Sequence, residues 1–231
     1  MTASVSDGCG EIWQPAPNSD AAARASAEHT FRSCAARRVL GDSDSGVFAT
    51  CAIGAGVVLI HRWHDEYRGL KGWQVLSVEE IDRLPPASRA LFLRYGLDHD
   101  FGYICGPTDL AHVTSLDNFI NHACAPNLGY DDAGNVVALR EISPGEELRI
   151  DYGSFIVNYD EPFQCSCGHE SCRGTISRDD WRILASRPGV ILPPFVRRRI
   201  EAKELFHDRT PASEPRSVNP AGDGDAQPPP G

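Results

Sequence analysis

Three cysteines within eight positions place the strongest constraint on this chain. They are Cys165, Cys167 and Cys172 in the segment CSCGHESC, whereas the other five cysteines are spread along the sequence. Thiolates at such spacing are typical of zinc, which takes four tetrahedral ligands from side chains that the backbone wraps around it. Gly168 and Gly174 give the backbone that freedom. The segment therefore predicts a metal site.

Two residues could supply the fourth ligand of this site. His169 would complete a local C-x-C-x-H-x-x-C site, whereas Cys124, 41 positions before Cys165, would tie the segment to the rest of the chain. A reduced loop or a redox cluster is the interpretation without a metal. Because cysteine is scarce and three residues lie so close together, zinc is favoured. All-thiolate zinc is more often structural than catalytic, so the cluster alone does not establish an enzyme.

The cellular compartment that the sequence indicates determines whether the remaining cysteines are expected to form disulfides. The N-terminus has no basic start followed by an apolar core, and the longest uncharged stretch, 46–60, is shorter than the roughly 20 apolar residues of a membrane span. We therefore expect an intracellular protein, cytoplasmic or nuclear, without a membrane partner. Stable disulfides are rare in those compartments. Cys9, Cys34, Cys51 and Cys105 are accordingly predicted to be separate, small buried or surface residues.

The charge of the chain limits its partners. Lys and Arg number 22 against 32 Asp and Glu, which gives a formal net charge of −10. A general nucleic-acid binder needs a basic surface for the phosphates, so direct nucleic-acid binding is not expected. A basic protein or peptide is the partner that such a charge suits.

The order of the predicted elements indicates a mostly β domain with a helical insert. Short strand-like runs precede and follow the insert at about 77–96, which Ser77 and Glu80 open as a capping box. Pro85 and Pro86 interrupt the insert. The predicted organisation is a loosely ordered arm over 1–35, the main domain over 36–160, the zinc segment over 161–176, helices over 177–207 and a disordered tail over 208–231.

Polar and apolar side chains are densely mixed in the segment LDNFINHACAPN at 116–127. In the simplest interpretation Phe119 and Ile120 belong to the core, and the imidazole of His122 forms hydrogen bonds with backbone groups. A nucleophilic pair of His122 and Cys124 is disfavoured, because residues two apart point to opposite faces of a strand and about 200° apart on a helix.

Three segments together resemble the SET-domain protein lysine methyltransferases that carry a post-SET zinc segment. They are FINHACAPN at 119–127, ELRIDYG at 147–153, and CSCGHESC with the following RG at 165–174, in the order of that family. Upstream, SDSGVFATCAIGAGVVLI at 43–60 resembles the opening strands of the family. The resemblance covers roughly residues 36–176. It implies a fold of small curled sheets with a pseudoknot that brings 118–124 beside 150–153.

The resemblance also implies a site for the methyl donor S-adenosylmethionine. In the family an Asn-His pair binds this donor, which corresponds here to Asn121 and His122. The residues expected at the methionine end of the donor are Ser45, Gly46 and Val47. The family often has an aromatic residue between two glycines at this point, and the sequence here is Asp-Ser-Gly instead.

The channel in which donor and lysine meet is implied by the same resemblance. Tyr152 of the DYG motif lines it, and Tyr103 is the second channel tyrosine suggested by its position before FINHAC. Ile150 stands where the family commonly has Phe or Tyr, which suggests room for more than one methyl group. The cysteine two residues after the histidine is a zinc ligand in the family, so the implied structural zinc ligands are Cys124, Cys165, Cys167 and Cys172.

The expected function is therefore transfer of methyl groups from S-adenosylmethionine to a lysine of a basic protein substrate such as a histone tail. The main alternative is a SET-like module that has lost transfer and serves as a zinc-stabilised interaction domain. The presence of Asn121, His122 and Tyr152 favours the enzyme.

Overall fold

The computed structural model describes residues 19–40, 44–66, 71–159 and 161–207. The tail predicted over 208–231 and the first part of the predicted arm lie outside the described residues. The strands are short: β1 (Ala35–Val39), β2 (Ser45–Ala49), β3 (Val58–Ile60), β4 (Trp73–Ser77), β5 (Leu97–Asp100), β6 (Tyr103–Pro107), β7 (Asn121–His122), β8 (Leu128–Tyr130), β9 (Val136–Ala138), β10 (Arg149–Ile150), β11 (Phe163–Gln164) and β12 (Thr175–Ile176).

Helices contribute a modest part of the fold. They are α1 (Ser19–Cys34), α2 (Trp63–Glu66), α3 (Val78–Asp82), α4 (Pro86–Tyr95), α5 (Asp180–Ala185) and α6 (Pro194–His207), with 3-10 turns at Leu110–His112, Leu116–Phe119 and Tyr152–Ser154. Among the residues that the structure describes, none of the helices has the length and apolar character needed to cross a membrane.

The strands pair into five small sheets. β1 with β2, β3 with β9 and β8, β4 with β6 and β5, and β11 with β12 are antiparallel, whereas β7 and β10 are parallel. The predicted fold class, mostly β with a helical insert and small sheets, is confirmed.

The parallel pair β7–β10 joins two distant segments. Asn121 lies opposite Arg149 and His122 opposite Ile150, and the Ala123 amide donates to the Ile150 carbonyl at 3.1 Å. The juxtaposition of 118–124 with 150–153 that the family resemblance implies is therefore present. Buried Ile120, Leu148 and Ile150 anchor both segments in the main core.

The helical insert has the expected start. The Ser77 hydroxyl accepts from the Glu80 amide at 3.2 Å, and the Glu80 carboxylate accepts from the Ser77 amide at 2.8 Å. These two bonds complete a capping box for α3. Ile81, Phe92 and Ile104 form a small second core that packs α3 and α4 onto β6.

The N-terminal segment differs from its prediction. Residues 19–34, expected to be loosely ordered, form helix α1. Ala27 and Phe31, four positions apart on one helix face, are buried against the main domain, where α1 packs on β3. Because Ala and Ser occupy half of the helix, its two buried positions gave too weak a periodic signal for the sequence to predict it.

Two cysteines predicted to be separate form a disulfide. Cys34 and Cys51 are bonded, with their Cα atoms 5.1 Å apart. Antiparallel pairing of Ala35 with Ala49 brings the two cysteines together at one end of the β1–β2 pair. The prediction of independent residues was wrong here because sequence spacing gives no register for this pair.

Candidate active site and metal site

Four cysteine sulfur atoms converge at the C-terminal side of β7. The Sγ atoms of Cys124, Cys165, Cys167 and Cys172 all lie within 4.8 Å of one another. The Cys124 and Cys165 sulfurs are 3.8 Å apart, close to the roughly 3.8 Å edge of a tetrahedron with zinc–sulfur bonds of about 2.3 Å. His169 lies outside this group, and its Nδ1 atom contacts the Ser171 hydroxyl at 2.7 Å. Of the two candidates for the fourth ligand, the geometry favours Cys124.

Backbone amides also point at these sulfur atoms. Three N–H groups donate to sulfur at 3.4 Å each, from Cys167 to Cys165, from Arg173 to Cys124 and from Gly174 to Cys172. Such donors stabilise the thiolate form that a metal requires. The cluster therefore fits a tetrahedral zinc ion both in its donor set and in its surroundings.

His122 connects the cysteine cluster to Tyr152. Its Nδ1 atom accepts from the Tyr152 amide at 3.1 Å, and its Nε2 atom lies 3.4 Å from the Cys124 sulfur. Burial lowers the pKa of His122, so the imidazole is neutral and its one proton, on Nε2, faces the sulfur. The strand geometry that would point His122 and Cys124 apart does not apply here, because β7 ends at His122 and the chain bends at Cys124.

Arg173 holds the cysteine segment against the main domain. Its guanidinium donates two bonds to Asp151 at 2.6 and 2.7 Å and one to Asp180 at 2.6 Å. All three side chains are less than a tenth exposed. Burial opposes the charge, but the two carboxylates raise the pKa of Arg173 overall. This ion-pair network was not predicted from the sequence, although both Asp151 and Arg173 lie within the motifs that resemble the family.

The residues expected to bind the donor meet beside β7. The Asn121 amide donates to the Ser45 carbonyl at 3.0 Å and to the Glu147 carboxylate at 2.8 Å. A Cβ atom on Gly46 would collide with that carboxylate and lie 3.2 Å from the Asn121 amide nitrogen. A larger residue at position 46 would therefore displace the Glu147 carboxylate. The Val47 side chain is fully buried in the core.

An open cleft adjoins this group. It has a volume of about 260 Å³, and its walls include Ala123, Glu147, Arg149, Cys167 and His169. Glu147 also accepts from the Arg149 guanidinium Nε at 2.7 Å, which fixes the carboxylate between Asn121 and Arg149. Glu147 was not singled out in the sequence, although it is the first residue of ELRIDYG.

Tyr152 lies between the donor-side residues and a second, smaller cavity. Its hydroxyl donates to the Ile120 carbonyl at 2.6 Å. Burial, together with the Glu147 charge, raises the pKa of Tyr152 to about 12, so the phenol remains protonated. The cavity beside it measures about 130 Å³, and its aromatic walls are Trp63, Tyr95, Tyr152 and Phe155.

The structure does not bring Tyr103 to this cavity. Tyr103 lies on β6 opposite Ser77 and Asp100, and half of its side chain surface is exposed (50%). Tyr95, the last residue of α4, is the second tyrosine in the cavity wall, where its ring packs edge-on against Phe119. Tyr103 was assigned from its order along the chain, whereas in the structure the end of α4 supplies the second tyrosine of the cavity wall.

Comparison with known protein families identifies the same region of the chain. The family model described as SET domain matches residues 44–153. Residues 44–153 form a SET domain. The matched region runs from the start of β2 to the turn that contains Tyr152. It contains Asn121, Glu147 and three of the four aromatic walls of the smaller cavity, Trp63, Tyr95 and Tyr152.

Several curated proteins are similar to this SET-domain protein over part of its length. Histone H3-lysine(4) N-trimethyltransferase ATX1 of Arabidopsis thaliana is 34% identical over 76 residues, 30% of this chain and 7% of its own. Methyltransferase flvH of Aspergillus flavus is 36% identical over 92 residues, 38% of this chain and 51% of its own. Histone-lysine N-methyltransferase SUV39H2 of Mus musculus is 30% identical over 128 residues, 45% of this chain and 27% of its own. The matches thus span about half of one relative and smaller parts of the others.

Proposed function

We propose that this SET-domain protein transfers methyl groups from S-adenosylmethionine to a lysine side chain of a protein substrate. The observation that carries the proposal is the position of Tyr152. Its backbone amide contacts His122 and its hydroxyl contacts Ile120, and these two residues are the neighbours of Asn121 in the sequence. Its ring forms a wall of the aromatic cavity. One residue thereby borders both the group expected to bind the donor and a cavity suited to an alkyl-amine side chain. The relatives named as methyltransferases support the same reaction.

On the donor side, Asn121, His122 and Gly46 are the residues that would hold S-adenosylmethionine. The Asn121 side-chain amide ties the Ser45 carbonyl to the Glu147 carboxylate and so fixes the start of β2 beside β7, and Gly46 places no side chain between them. The neighbouring cleft of about 260 Å³ would take part of a nucleoside ligand. When bound, the donor supplies an electrophilic methyl group on a sulfonium sulfur.

On the acceptor side, the aromatic cavity has two tasks. It must hold the lysine stem in line with the donor methyl group, and it must favour the neutral amine, whose ordinary pKa of about 10.4 keeps it charged in water. Burial in an apolar cavity disfavours the ammonium form. Alignment of this kind is worth roughly 7–11 kcal/mol of the activation barrier.

The Tyr152 hydroxyl is suited to orient the amine but not to remove its proton. A phenol whose pKa is raised to about 12 by burial stays protonated and is not a base near neutral pH. Its proton is directed at the Ile120 carbonyl. The oxygen lone pairs are therefore the part of Tyr152 that can accept an N–H of the amine and keep its nitrogen lone pair aimed at the donor.

Zinc is proposed to have a structural role at the four cysteines. The cysteine segment follows β11, where Phe163 packs against the rings of His122 and Tyr152 at centroid distances of 5.4 and 6.1 Å. Holding Cys165, Cys167 and Cys172 onto Cys124 would keep this wall in place. The acidic net charge of −10 favours a basic peptide around the target lysine.

The first experiment is calorimetric titration of the zinc-loaded protein with S-adenosylmethionine. We expect saturable binding that Asn121→Ala abolishes and that Asn135→Ala, at a turn outside the site, retains. Thermal unfolding of each variant checks that it is folded. Binding would then justify a screen of basic peptides for methyl acceptors. Absence of binding by folded, zinc-loaded protein would overturn the proposal and favour the interaction module.

A further inference from the structure

We propose that the disulfide between Cys34 and Cys51 is a redox-sensitive bond that holds helix α1 over a cavity next to the Tyr152 cavity, and that its reduction releases the helix. The inference goes beyond the proposed function and does not depend on methyl transfer. It gives a role to a bond that neither the donor side nor the acceptor side of the site uses.

The disulfide closes one end of the β1–β2 pair. Cys34 is the last residue of α1, and Cys51 follows the end of β2 by two positions. Ser45, whose carbonyl accepts from Asn121, lies at the opposite end of the same pair. The bond therefore acts on α1 at the end of the pair that is remote from the donor-side contact.

Other bonds hold β2 in place independently of the disulfide. The Leu148 amide donates to the Val47 carbonyl at 2.8 Å, and the Ala49 amide donates to the Glu146 carbonyl at 2.9 Å. Both bonds attach β2 to the segment that leads into β10. Reduction of the disulfide is therefore expected to leave the donor side intact.

Few buried side chains attach α1 to the domain. Among the side chains of α1 that the structure describes, only Ala27 and Phe31 are buried. The Thr50 amide donates to the Cys34 carbonyl at 2.8 Å, and the Thr50 hydroxyl donates to the Ser33 carbonyl at 3.3 Å, so these bonds lie directly beside the disulfide. A helix in a protein takes most of its stability from packing of one face, and elements with few buried contacts open first. The disulfide is thus a major part of what holds α1 in place.

Helix α1 forms one wall of a cavity of about 550 Å³. Phe31 borders this cavity from the helix, and Leu59 borders it from β3. Residues of the 3-10 turn Leu116–Phe119 form a further wall, and Asp117 of that turn also borders the cavity beside Tyr152. Release of α1 would therefore open to solvent a cavity that adjoins the proposed acceptor site.

The bond is within reach of a small thiol reagent, because Cys34 and Cys51 are both partly exposed. In reduction by a dithiol, a thiolate of the reagent attacks one sulfur, and the S–S bond breaks with its electron pair going to the other sulfur, which takes a proton. The second thiol of the reagent then displaces the first cysteine as a thiol, and the reagent becomes a disulfide. In the reducing compartments that the sequence predicts for this chain, disulfides are rare and usually catalytic or redox-sensing.

Limited digestion with trypsin tests the release of α1. The samples are zinc-loaded wild type, treated beforehand with oxidised glutathione, and Cys34→Ser/Cys51→Ser, each with and without dithiothreitol at saturating zinc. We expect dithiothreitol to speed cleavage after Arg24 and Arg32, two exposed residues of α1, about tenfold or more in the wild type. The double variant should be cut quickly in both conditions. Cleavage after exposed Arg182 in α5 is the internal control and should not change.

Equal cleavage of α1 in oxidised and reduced wild type would overturn the inference, and this comparison needs no variant to fold. Equal acceleration after Arg182 would overturn it too, because it indicates general unfolding. The same holds for a double variant that is cut as slowly as the oxidised wild type or that responds to dithiothreitol, and for a pair of cysteines that thiol labelling finds reduced after treatment with oxidised glutathione.

Calorimetry with S-adenosylmethionine on the same samples separates this inference from the proposed function. Because β2 stays in place, donor affinity should agree within about twofold between the oxidised and reduced wild type. Loss of donor affinity on reduction alone would overturn the release of α1 as a local change. Absence of donor binding in every sample would refute the proposed function and leave the result on α1 standing.

Discussion

The Tyr152 hydroxyl donates a 2.6 Å hydrogen bond to the carbonyl oxygen of Ile120, the residue that precedes Asn121. The parallel pairing of β7 with β10 makes this contact possible, because it places residue 152 beside residue 120 across a sequence gap of 32 positions. The segment that carries the proposed donor-binding amide therefore also orients the phenol of the proposed acceptor cavity. Donor and acceptor geometry are consequently set by one structural unit.

We expect Tyr152→Phe to lower turnover about 100-fold or more, because loss of one preorganised polar group typically costs that much. Affinity for S-adenosylmethionine should stay within about twofold, since Asn121 and Gly46 are untouched. Tyr103→Phe is the control, because Tyr103 is half exposed outside the cavity. Single-turnover rates and calorimetry measure the two quantities. Turnover near the wild-type value would remove Tyr152 from the mechanism.

The resemblance to the family named one part of the candidate site. It implied that Asn121 and His122 lie near Tyr152, and the β7–β10 pairing brings these segments side by side. The capping box at Ser77, in contrast, is local and was predicted correctly from the residues themselves. Such features depend on neighbours within a few positions, which a sequence displays directly.

Contacts between distant parts of the chain form the rest of the candidate site and the disulfide, and the sequence did not predict them. Trp63 and Tyr95 reach the Tyr152 cavity from helices α2 and α4, and no periodic pattern links those helices to residue 152. The strands β7 and β10 have two residues each, which is too short for a propensity signal. The Cys34–Cys51 bond likewise depends on the register of β1 and β2. These relations exist only once the chain has folded.

Removal of zinc should abolish the methyltransferase activity. Chelation removes the metal, and Cys124→Ser removes one of its ligands. Either change releases the cysteine segment and the wall formed by Phe163, so we expect zinc content and activity to be lost in parallel. Cys105→Ser is the matched control, because Cys105 is a buried cysteine outside the cluster. Metal analysis and activity are measured on the same samples. Activity that survives verified metal loss would contradict a structural role for zinc.

Arg173→Gln should lower the free energy of unfolding by about 3–5 kcal/mol, because it leaves the carboxylates of Asp151 and Asp180 buried without a counter-charge. Arg182→Gln breaks an exposed ion pair with Asp179, so we expect a loss of about 0–1 kcal/mol there. Urea unfolding of zinc-loaded samples provides the comparison. Equal losses in the two variants would show that the buried network contributes no more than a surface pair.

Asp98 is predicted to make stability fall as pH rises through weakly acidic values. Burial raises the pKa of Asp98 from 3.8 to about 7, although amides of Val157 and Asn158 donate to it. Between these two values the folded protein binds a proton that the unfolded chain has lost. This contribution is fully present below the unfolded pKa and is lost as pH rises through the folded one. Buried His64, whose pKa is lowered to about 3, acts with the opposite sign.

Comparison with Asp98→Asn isolates the contribution of the carboxyl group. The amide oxygen of the variant can still accept from the Val157 and Asn158 amides, but it does not titrate. Between pH 5 and pH 8 the wild type should lose about 2–3 kcal/mol of unfolding free energy relative to the variant. His64 and the cysteine cluster are common to both proteins, so their pH dependence cancels in the difference. Urea unfolding at several pH values measures this difference. Parallel profiles would mean that Asp98 has the same pKa in the folded and unfolded states.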